Sequence, residues 1–444
     1  MRIIKQSFYL CALMASLMSC KPSTFIKSDS YPNIFPDYTE VTIPEGMAPL
    51  TFRMADSSRF TTHTEVVGDT LWTTVRAWKK GSRTGVEYKP FPIITSHDPI
   101  DPYIAYRLIE PGYESWHDMG IYQRELATFK ESAIVTNKAN KMGCINCHTF
   151  YEKNPERMLF HARGEGGGTV IADGGDVKKV NLAEIGPKRQ GTYPSWHPDG
   201  RYVAFSSNTT RQCFTIRHEQ PIEVYDTESD IILYDTENES IVLPEIFDTK
   251  DTLETFPSWS SDGKKLYYCA AGNEGTLPKS RGKYHYRLME ADFENGEFTG
   301  ETRTLFGDDS TSVSFPRLCG DWMMFTVSSF GTFPIWHKEA DLWLLNTSTG
   351  ESFPAESLNS DNTESYHSWS SNGRWVIFSS RRIDGRYTRL YIAHHDGEGH
   401  FGKPFLLPQK NPDLNQLRLK SYNIPEFMTE KSRDRQDSVK ELFE

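Results

Sequence analysis

Four segments of the chain repeat one pattern, and this repetition limits the possible folds more than any other feature of the sequence. Each segment carries an aromatic residue, in most copies followed by a tryptophan, before a short polar turn and a run rich in β-branched and aromatic residues. The segments are YPSWHPDGRYVAFSS from Tyr193, FPSWSSDGKKLYYCA from Phe256, FPRLCGDWMMFT from Phe315 and YHSWSSNGRWVIFSS from Tyr366. Such a repeat predicts copies of one small β unit packed side by side.

The turns of three copies contain the residue pairs of tight β-hairpins. These pairs, which accept the positive φ that a tight hairpin requires, are Asp199-Gly200, Asp262-Gly263 and Asn372-Gly373. The third copy lacks such a pair, which predicts a shorter or irregular hairpin. A second strand pair follows each copy, beginning at Asp230, Tyr286, Asp341 and Arg389. Two hairpins per unit make a four-stranded sheet, which is the blade of a β-propeller.

The pattern P-S-W-x-x-D-G followed by an aliphatic and aromatic strand resembles the repeat of TolB-type β-propellers. The resemblance covers residues 155–427, and the glycine-rich residues 158–182 supply a further blade. It implies a C-terminal propeller of five or six blades, the sixth completed by terminal strands such as residues 421–427. The blade tryptophans are expected to pack between blades; they are Trp196, Trp259 and Trp369. The repeat specifies a fold and no chemistry.

The remaining segments predict smaller units around the propeller. Alternating apolar and polar residues, broken by Pro and Gly, predict a small β-sandwich over residues 21–112. The spacing of Tyr122, Leu126, Phe129 and Val135, without Pro or Gly, predicts a helix within a short helical insert over residues 113–154. Residues 428–444 are expected to form a polar C-terminal tail. The expected fold class is mainly β.

Residues 1–20 resemble a bacterial lipoprotein signal peptide. Arg2 and Lys5 precede an apolar run from Phe8 to Met18 that is too short to span a bilayer. The following LMSC resembles a lipobox, which implies that Cys20 is acylated and begins the mature chain. An ordinary signal peptide is the alternative. Lys21 in place of aspartate, with no acidic cluster after it, favours a periplasm-facing anchor in the outer membrane.

The charge of the chain argues against a nucleic-acid-binding protein, and its cysteine count argues against a fold built on disulfide bonds. The chain has 60 acidic and 49 basic residues, a net charge of −11, and nucleic-acid binding needs a basic surface. Once the cysteines of the signal, the lipobox and the motif described next are set aside, three remain, and an odd number disfavours a disulfide framework. They are Cys213, Cys269 and Cys319.

Residues 143–150, GCINCHTF, contain a C-x-x-C-H motif. It resembles the haem attachment site of c-type cytochromes. The resemblance implies one covalent haem c, with thioether bonds to Cys144 and Cys147 and with His148 as the proximal iron ligand.

The distal side of the iron has two main candidates, Met158 and His161. Successive side chains of an extended strand alternate, so these two cannot both point at the iron. His161 is favoured, Met158 is the alternative, and an open or water-bound site is a third possibility. Met142, Met119 and His117 are less suitable by position.

Other interpretations of the motif stay open. They are a thioredoxin-like redox pair, a zinc site completed by His161 or Cys213, and a structural disulfide between Cys144 and Cys147.

Three functions compete. The first is a haem lipoprotein for periplasmic electron transfer or haem-based sensing, with a redox partner. The second is a non-enzymatic TolB-like scaffold that binds a protein or glycan in the envelope. The third, a propeller oxidoreductase, is disfavoured because the blade histidines form no catalytic or metal pattern; they are His197, His337, His367, His394 and His395. No enzymatic activity is expected of the chain alone.

The lipobox resemblance yields a direct test. We expect the Cys20→Ser variant to move from the membrane to the soluble periplasmic fraction, because serine cannot be acylated in place of the thiol. Fractionation with detergent partition measures this, and Ser19→Ala, which keeps the cysteine, serves as control. A Cys20→Ser chain that is cleaved at the same site and stays on the membrane would contradict the prediction.

Overall fold

The computed structural model describes residues 21–110, 117–186, 191–214, 222–273, 282 and 284–444. Cys20, the predicted lipidation site, lies outside the described residues. None of the helices in the described ranges is long and apolar enough to cross a membrane.

The N-terminal region forms one six-stranded mixed sheet and one two-stranded sheet. Its strands are β1 (Thr24–Lys27), β2 (Ile34–Phe35), β3 (Thr42–Pro44), β4 (Arg53–Met54), β5 (Arg59–Val67), β6 (Thr70–Trp78), β7 (Thr84–Glu87) and β8 (Phe91–Ser96). The order of the large sheet is β1-β7-β6-β8-β3 with β5 on β6, and β2 pairs with β4. The region is therefore β-structured as expected, but it is dominated by one sheet rather than by two facing sheets.

Six four-stranded antiparallel sheets form the rest of the molecule. Blade 1 contains β9 (Tyr103–Ile109), β10 (Gly120–Glu125), β11 (Glu131–Thr136) and β32 (Ser421–Met428). Blade 2 contains β12 (Ile145–Phe150), β13 (Arg157–Ala162), β14 (Gly168–Asp173) and β15 (Asp176–Val180). Blade 3 contains β16 (Thr192–Trp196), β17 (Tyr202–Phe214), β18 (Ile222–Asp235) and β19 (Ser240–Val242).

The other three blades follow in chain order. Blade 4 contains β20 (Thr252–Trp259), β21 (Lys265–Gly272), β22 (Arg287–Glu294) and β23 (Glu297–Phe306). Blade 5 contains β24 (Ser312–Cys319), β25 (Trp322–Ser328), β26 (Asp341–Asn346) and β27 (Ser352–Pro354). Blade 6 contains β28 (Glu364–Trp369), β29 (Trp375–Ser380), β30 (Arg389–His394) and β31 (Phe405–Leu406).

The six sheets form a closed ring. The innermost strands contact one another in the order β12, β16, β20, β24, β28 and β32, and β32 contacts β12 again. Blade 1 is composite, because its innermost strand β32 comes from the C-terminal part of the chain and its other three strands precede blade 2. The predicted β-propeller is thus confirmed, and it begins at Tyr103 rather than at residue 155.

The predicted helical insert over residues 113–154 is wrong. The described part of this segment contains β10, β11 and β12, with a single 3₁₀ turn at Asn137–Asn140 between β11 and β12. The register of β10 against β11 shifts between Ile121 and Tyr122. This shift breaks the strict alternation of apolar residues by which strands are recognised in a sequence.

The helices in the described part of the chain are short. They are α1 (Leu182–Ile185), α2 (Leu414–Leu417) and α3 (Gln436–Glu441), with further 3₁₀ turns at Tyr151–Lys153, Glu245–Phe247 and Pro334–Trp336. The expected polar tail is ordered, because α3 contacts β11 and Val439 and Phe443 are buried in the core of blades 1 and 2.

The repeat features have the expected roles. Gly200, Gly263 and Gly373 all have positive φ, and the third copy has a shorter turn, with residues 320–321 joining β24 to β25. The blade tryptophans Trp196 and Trp259 are 9% and 6% exposed. They lie in apolar clusters that join neighbouring blades, as predicted.

Closure of the ring can be tested at Phe427 of β32, which is fully buried in the core shared by the N-terminal sheet and blades 1 and 6. We expect Phe427→Ala to lower the free energy of unfolding by about 3 to 5 kcal/mol through lost packing. Leu417→Ala, at a site that is 68% exposed, is the control and should change it by less than about 0.5 kcal/mol. Urea denaturation measures both, and equal effects would argue against a structural role for β32.

Candidate functional site

One residue of left-handed backbone conformation interrupts the innermost strand of every blade. These residues have φ between 48° and 54°, and they are Ile424, Cys147, Tyr193, Phe256, Phe315 and Tyr366. The pairing with the second strand shifts register at each of them. A bulge of this kind re-aims its side chain.

The side chains of these six residues converge on the channel axis. The ring centroids of Tyr193 and Phe256 lie 4.4 Å apart, those of Phe256 and Phe315 4.1 Å, and those of Phe315 and Tyr366 4.8 Å. Tyr193 also contacts Phe315, two blades away, at 5.6 Å, which requires the rings to meet near the axis. We call the six residues the plug, because they close the middle of the channel.

Aligned on this bulge, the C-x-x-C-H motif is the blade 2 copy of the propeller repeat. Cys147 takes the plug position, and Phe150 takes the position of Trp196. The position of His148 is occupied in the other blades by Pro425, Pro194, Pro257, Pro316 and His367. The motif therefore lies on strand β12, and the spacing of Cys147, His148 and Phe150 matches the other blades.

His148 lies in the apolar contact between blades 1 and 2. Its side chain is 3% exposed, and its ring packs edge-on against Phe150 at 5.9 Å. Burial, with a smaller contribution from Arg107, lowers the pKa of His148 to about 3, so the imidazole is neutral. Its Nε2 atom is buried without a hydrogen-bond partner, whereas Nε2 of the equivalent His367 lies 2.8 Å from the carbonyl of Met324.

Unlike the side chain of His148, the side chain of Cys147 faces the channel. Its side chain lies in the plug, where burial raises the pKa of the thiol and the backbone N–H of Tyr193 donates to it. Successive residues of a strand face opposite sides, so Cys147 and His148 do not converge on one point. The residues in this arrangement do not fit a haem, and haem attachment stays a prediction that the geometry does not favour.

The other interpretations of the motif find no support in the described residues. Cys144 and Cys147 are free thiols, and an extended strand separates Cα atoms three residues apart by roughly 10 Å, beyond the limit of about 7 Å for a disulfide. Within the described ranges, no group of three or more His, Cys, Asp or Glu side chains could hold a metal ion.

The two predicted distal ligands lie on opposite faces of β13. Met158 is fully buried in the core of blades 1 and 2 with Phe150. His161 pairs with Asn146 across the strands, and its Nδ1 atom lies 3.4 Å from the hydroxyl of Thr169. Burial, with a smaller effect of Arg163, lowers the pKa of His161 to about 4. The alternation is as expected, and neither side chain shares its surroundings with His148 and Cys147 together.

The upper half-channel is the part of the channel on the side where the innermost strands begin. Arg107 donates to the carbonyl of Ile145 at 3.3 Å and to the side chain of Asn146. Asp226 is buried and accepts from Asn208 at 2.7 Å, and burial raises the pKa of its carboxyl to about 7. A cavity of about 120 Å³ lies at this end, with Arg107 in its wall.

A long hairpin covers the upper end. β17 and β18 extend past the start of β16, since Thr192 pairs with Ser206 and the hairpin continues to Phe214. Glu223 of β18 forms a buried ion pair with His337 at 3.1 Å. Despite burial, Glu223 and Glu339 raise the pKa of His337 to about 9, so the imidazole is protonated at neutral pH.

The lower half-channel lies on the other side of the plug and is ringed by one polar residue from each blade. They follow the plug residue by two positions and are Thr149, Ser195, Ser258, Arg317, Ser368 and Glu426. Glu426 accepts from the backbone N–H of Phe150 at 3.3 Å. Burial raises the pKa of the Glu426 carboxyl to about 7, and Arg317 opposes this shift.

Arg317 is the cation of this ring. Its guanidinium donates to the carbonyl of Pro316 at 3.1 Å, and burial lowers its pKa while Glu426 opposes the shift. The two charges interact across the ring, but among the described residues neither forms an ion pair. The ring opens into a cavity of about 460 Å³, whose wall includes Lys153, Ser195 and Ser258.

The two charged members of the ring were not predicted from the sequence. Ser follows the plug residue by two positions in blades 3, 4 and 6, and Arg317 and Glu426 stand at the same position in blades 5 and 1. Aligning FPRLC and IPEFM with FPSWS would have identified both. By contrast, the blade histidines have structural partners, such as Gly263 for His197, Asp98 for His394 and Gly373 for His395.

The fold and channel define a six-bladed β-propeller with a composite first blade and a plugged centre. The sequence matches no family model and no curated protein sequence. Among solved structures, the chain is similar to TolB from Acinetobacter baumannii, with a TM-score of 0.48, 13% identity, and coverage of 83% of this chain and 82% of that one. It is also similar to an oligogalacturonate lyase in complex with manganese, with a TM-score of 0.39, 13% identity, and coverage of 81% and 74%.

A third similar structure is the tricorn protease, with a TM-score of 0.41, 12% identity, and coverage of 84% of this chain and 36% of that one. Similarity at this level carries no information about substrate or partner.

The repeat alignment makes a prediction for His148. We expect His148→Pro to change the free energy of unfolding by less than about 1 kcal/mol, because four blades carry proline there and the residue lies between the paired positions Asn146 and Thr149. Thr149→Pro is the matched variant and should cost about 3 kcal/mol or more, since Thr149 pairs with Leu159. Chemical denaturation measures both, and equal losses would show that His148 is not a copy of the proline position.

Glu426 predicts a pH dependence of stability. Its pKa rises from 4.5 in the unfolded chain to about 7, so its contribution is most favourable below pH 4.5 and is lost as the pH rises through 7. We expect Glu426→Gln to raise the free energy of unfolding at pH 8 relative to the parent chain, by on the order of 1 to 3 kcal/mol, and to have less effect at pH 5. Urea titrations at both pH values test this, and Glu444→Gln, on the surface helix end, is the control. A pH-independent difference would contradict the assignment.

Proposed function

We propose that the chain is a non-enzymatic binding protein of the cell envelope, whose lower half-channel receives a segment of a protein partner. The observation that supports this most strongly is the blind polar funnel. The plug closes it at one end, and six strands each place one polar group around it.

The charges of the funnel favour binding. Arg317 and Glu426 lie in the ring without an ion pair to each other or to other described side chains, so each retains capacity for a ligand. Opposite charges that stay apart inside a protein are costly unless a bound group or water satisfies them. A ligand with one acceptor for Arg317 and one donor for Glu426 would supply that compensation.

The tryptophans favour a protein partner over a glycan. Sugar recognition in an open groove uses exposed aromatic faces, but Trp196, Trp259 and Trp369 are at most 9% exposed. The indole N–H of Trp259 donates to Ser195 and that of Trp369 donates to the carbonyl of Arg317. These rings are held within the walls of the funnel, where the largely buried Trp196 and Trp259 line it together with the hydroxyl groups of Ser195 and Ser258.

The envelope location rests on the signal-peptide resemblance. In this proposal the acyl chain at Cys20 tethers the mature chain to the outer membrane, and the propeller lies in the periplasm. The net charge of −11 is compatible with a protein partner and unfavourable for nucleic acid.

Haem c attachment is a second candidate, and one observation favours it. His148 is neutral, and its Nε2 atom is buried without a hydrogen-bond partner, as a metal-ligating imidazole requires before binding. Iron in a haem joined to Cys144 and Cys147 would take that nitrogen only if β12 left the innermost position of blade 2. A Soret band and a haem stain of chain made with a cytochrome c maturation system would support this candidate, and their absence would reject it.

The proposed binding function is tested by blocking the funnel. A random peptide library is displayed and selected on the purified mature chain, and the enriched peptides are measured against variants. We expect Ser195→Trp to weaken their binding at least tenfold by filling the cavity. Thr304→Trp, which lies in a separate surface cavity of blade 4, is the matched control and should bind normally. Enriched peptides that bind the blocked variant equally well, or a failure to enrich any peptide, would reject the proposal.

A further inference from the structure

We infer that the lower half-channel is a receptor for the C-terminal carboxylate of a polypeptide, with Arg317 as the group that receives it. This inference rests on the proposed function and names the part of the partner that enters the funnel. It follows from three features of the lower half-channel: its blind end, the guanidinium at the polar ring, which interacts with Glu426, and the hydroxyl groups of the same ring.

The blind end limits what can enter. The plug rings lie 4.1 to 4.8 Å from one another, so no chain can pass through the channel. The polar ring follows the plug by two residues on each strand, which places it deep in the funnel. A group that reaches this ring must therefore be the end of a chain or a long side chain.

The guanidinium selects a carboxylate. The backbone of Arg317 is fixed from both sides, since it pairs with Met324 in the sheet and its carbonyl accepts from the indole of Trp369 at 3.1 Å. Its hydrogen bond to Pro316 uses Nη1, which leaves the N–H donors on Nε and Nη2 available to a ligand. A planar fork of this kind binds a carboxylate with two parallel hydrogen bonds.

Glu426, which belongs to the same ring as Arg317, can bind the peptide group next to the C-terminal carboxylate of the ligand. Glu426 is held by the N–H of Phe150 and lies near the hydroxyl of Thr149 at 3.5 Å. Its oxygens can accept from the last peptide N–H of the ligand. The hydroxyls of Ser195, Ser258 and Ser368 both donate and accept, which matches the alternating groups of a peptide backbone.

Isothermal titration calorimetry with four probes tests this on the mature chain. The probes are N-acetyl-trialanine with a free carboxylate, its C-terminal amide, an amidated tripeptide with a central glutamate, and glucuronate. We expect the free acid to bind at least tenfold more tightly than the other three. Arg317→Gln should remove this preference, and Arg317→Lys should keep part of it. Arg303→Gln, at a more exposed arginine outside the channel, should change nothing.

Each other outcome overturns the inference. Equal binding of the acid and the amide would do so, and if Ser195→Trp then abolishes binding of both, the proposed function stands without the chain-end receptor. Tight binding of the amidated glutamate peptide would assign the site to an acidic side chain, and tight binding of glucuronate would assign it to a sugar acid. No binding of any probe would reject the receptor itself. Circular dichroism of the variants guards against misfolding, and the lysine variant keeps the charge if the glutamine variant fails to fold.

Discussion

The hydrogen bonds between β32 and β9 hold the propeller together as a ring. They join residues 421–428 to residues 103–109, and without them blade 1 would have no innermost strand and blades 6 and 2 would not be linked. Each of the other five blades pairs strands that are neighbours along the chain. This one long-range pairing fixes the diameter of the channel and hence the distances at which the six plug residues and the six ring residues meet.

Much of the propeller could be predicted because its repeat is local. Each copy carries its own aromatic anchor and turn, so blades 3 to 6 were recognisable from the segments at Tyr193, Phe256, Phe315 and Tyr366. Of blade 1, only the terminal strand at residues 421–427 was predicted; its other three strands were not, because β32 has Phe427 in place of the tryptophan and its partner β9 lies more than 300 residues away. The helix expected around Tyr122 is two strands, and its apparent helical spacing arises because Leu126 and Phe129 lie in the turn between β10 and β11.

The candidate site was also partly predictable, because each blade carries its site residues within its own local repeat. The C-x-x-C-H motif drew attention to blade 2, but its spacing fits an attachment motif and a propeller repeat equally well when only the letters are compared. The backbone conformation distinguishes the propeller repeat from the attachment motif. Cys147 has the left-handed conformation of the other plug residues, and His148 stands at the position that is proline in four other blades. Arg317 and Glu426 stand where three other blades have serine. They are distant in the sequence, and only the closed ring brings the two charged side chains into one site.

The composite blade also affects when the protein can act. Glu426 is part of β32, the last strand of the ring, whereas the serines of the funnel come from strands that precede it in the chain. As the chain is made from its N-terminus, blades 2 to 6 can form before β32 is available, but the funnel then has a gap at blade 1 and lacks Glu426. In the proposed function, binding competence is therefore acquired in the final step of folding, when the ring closes.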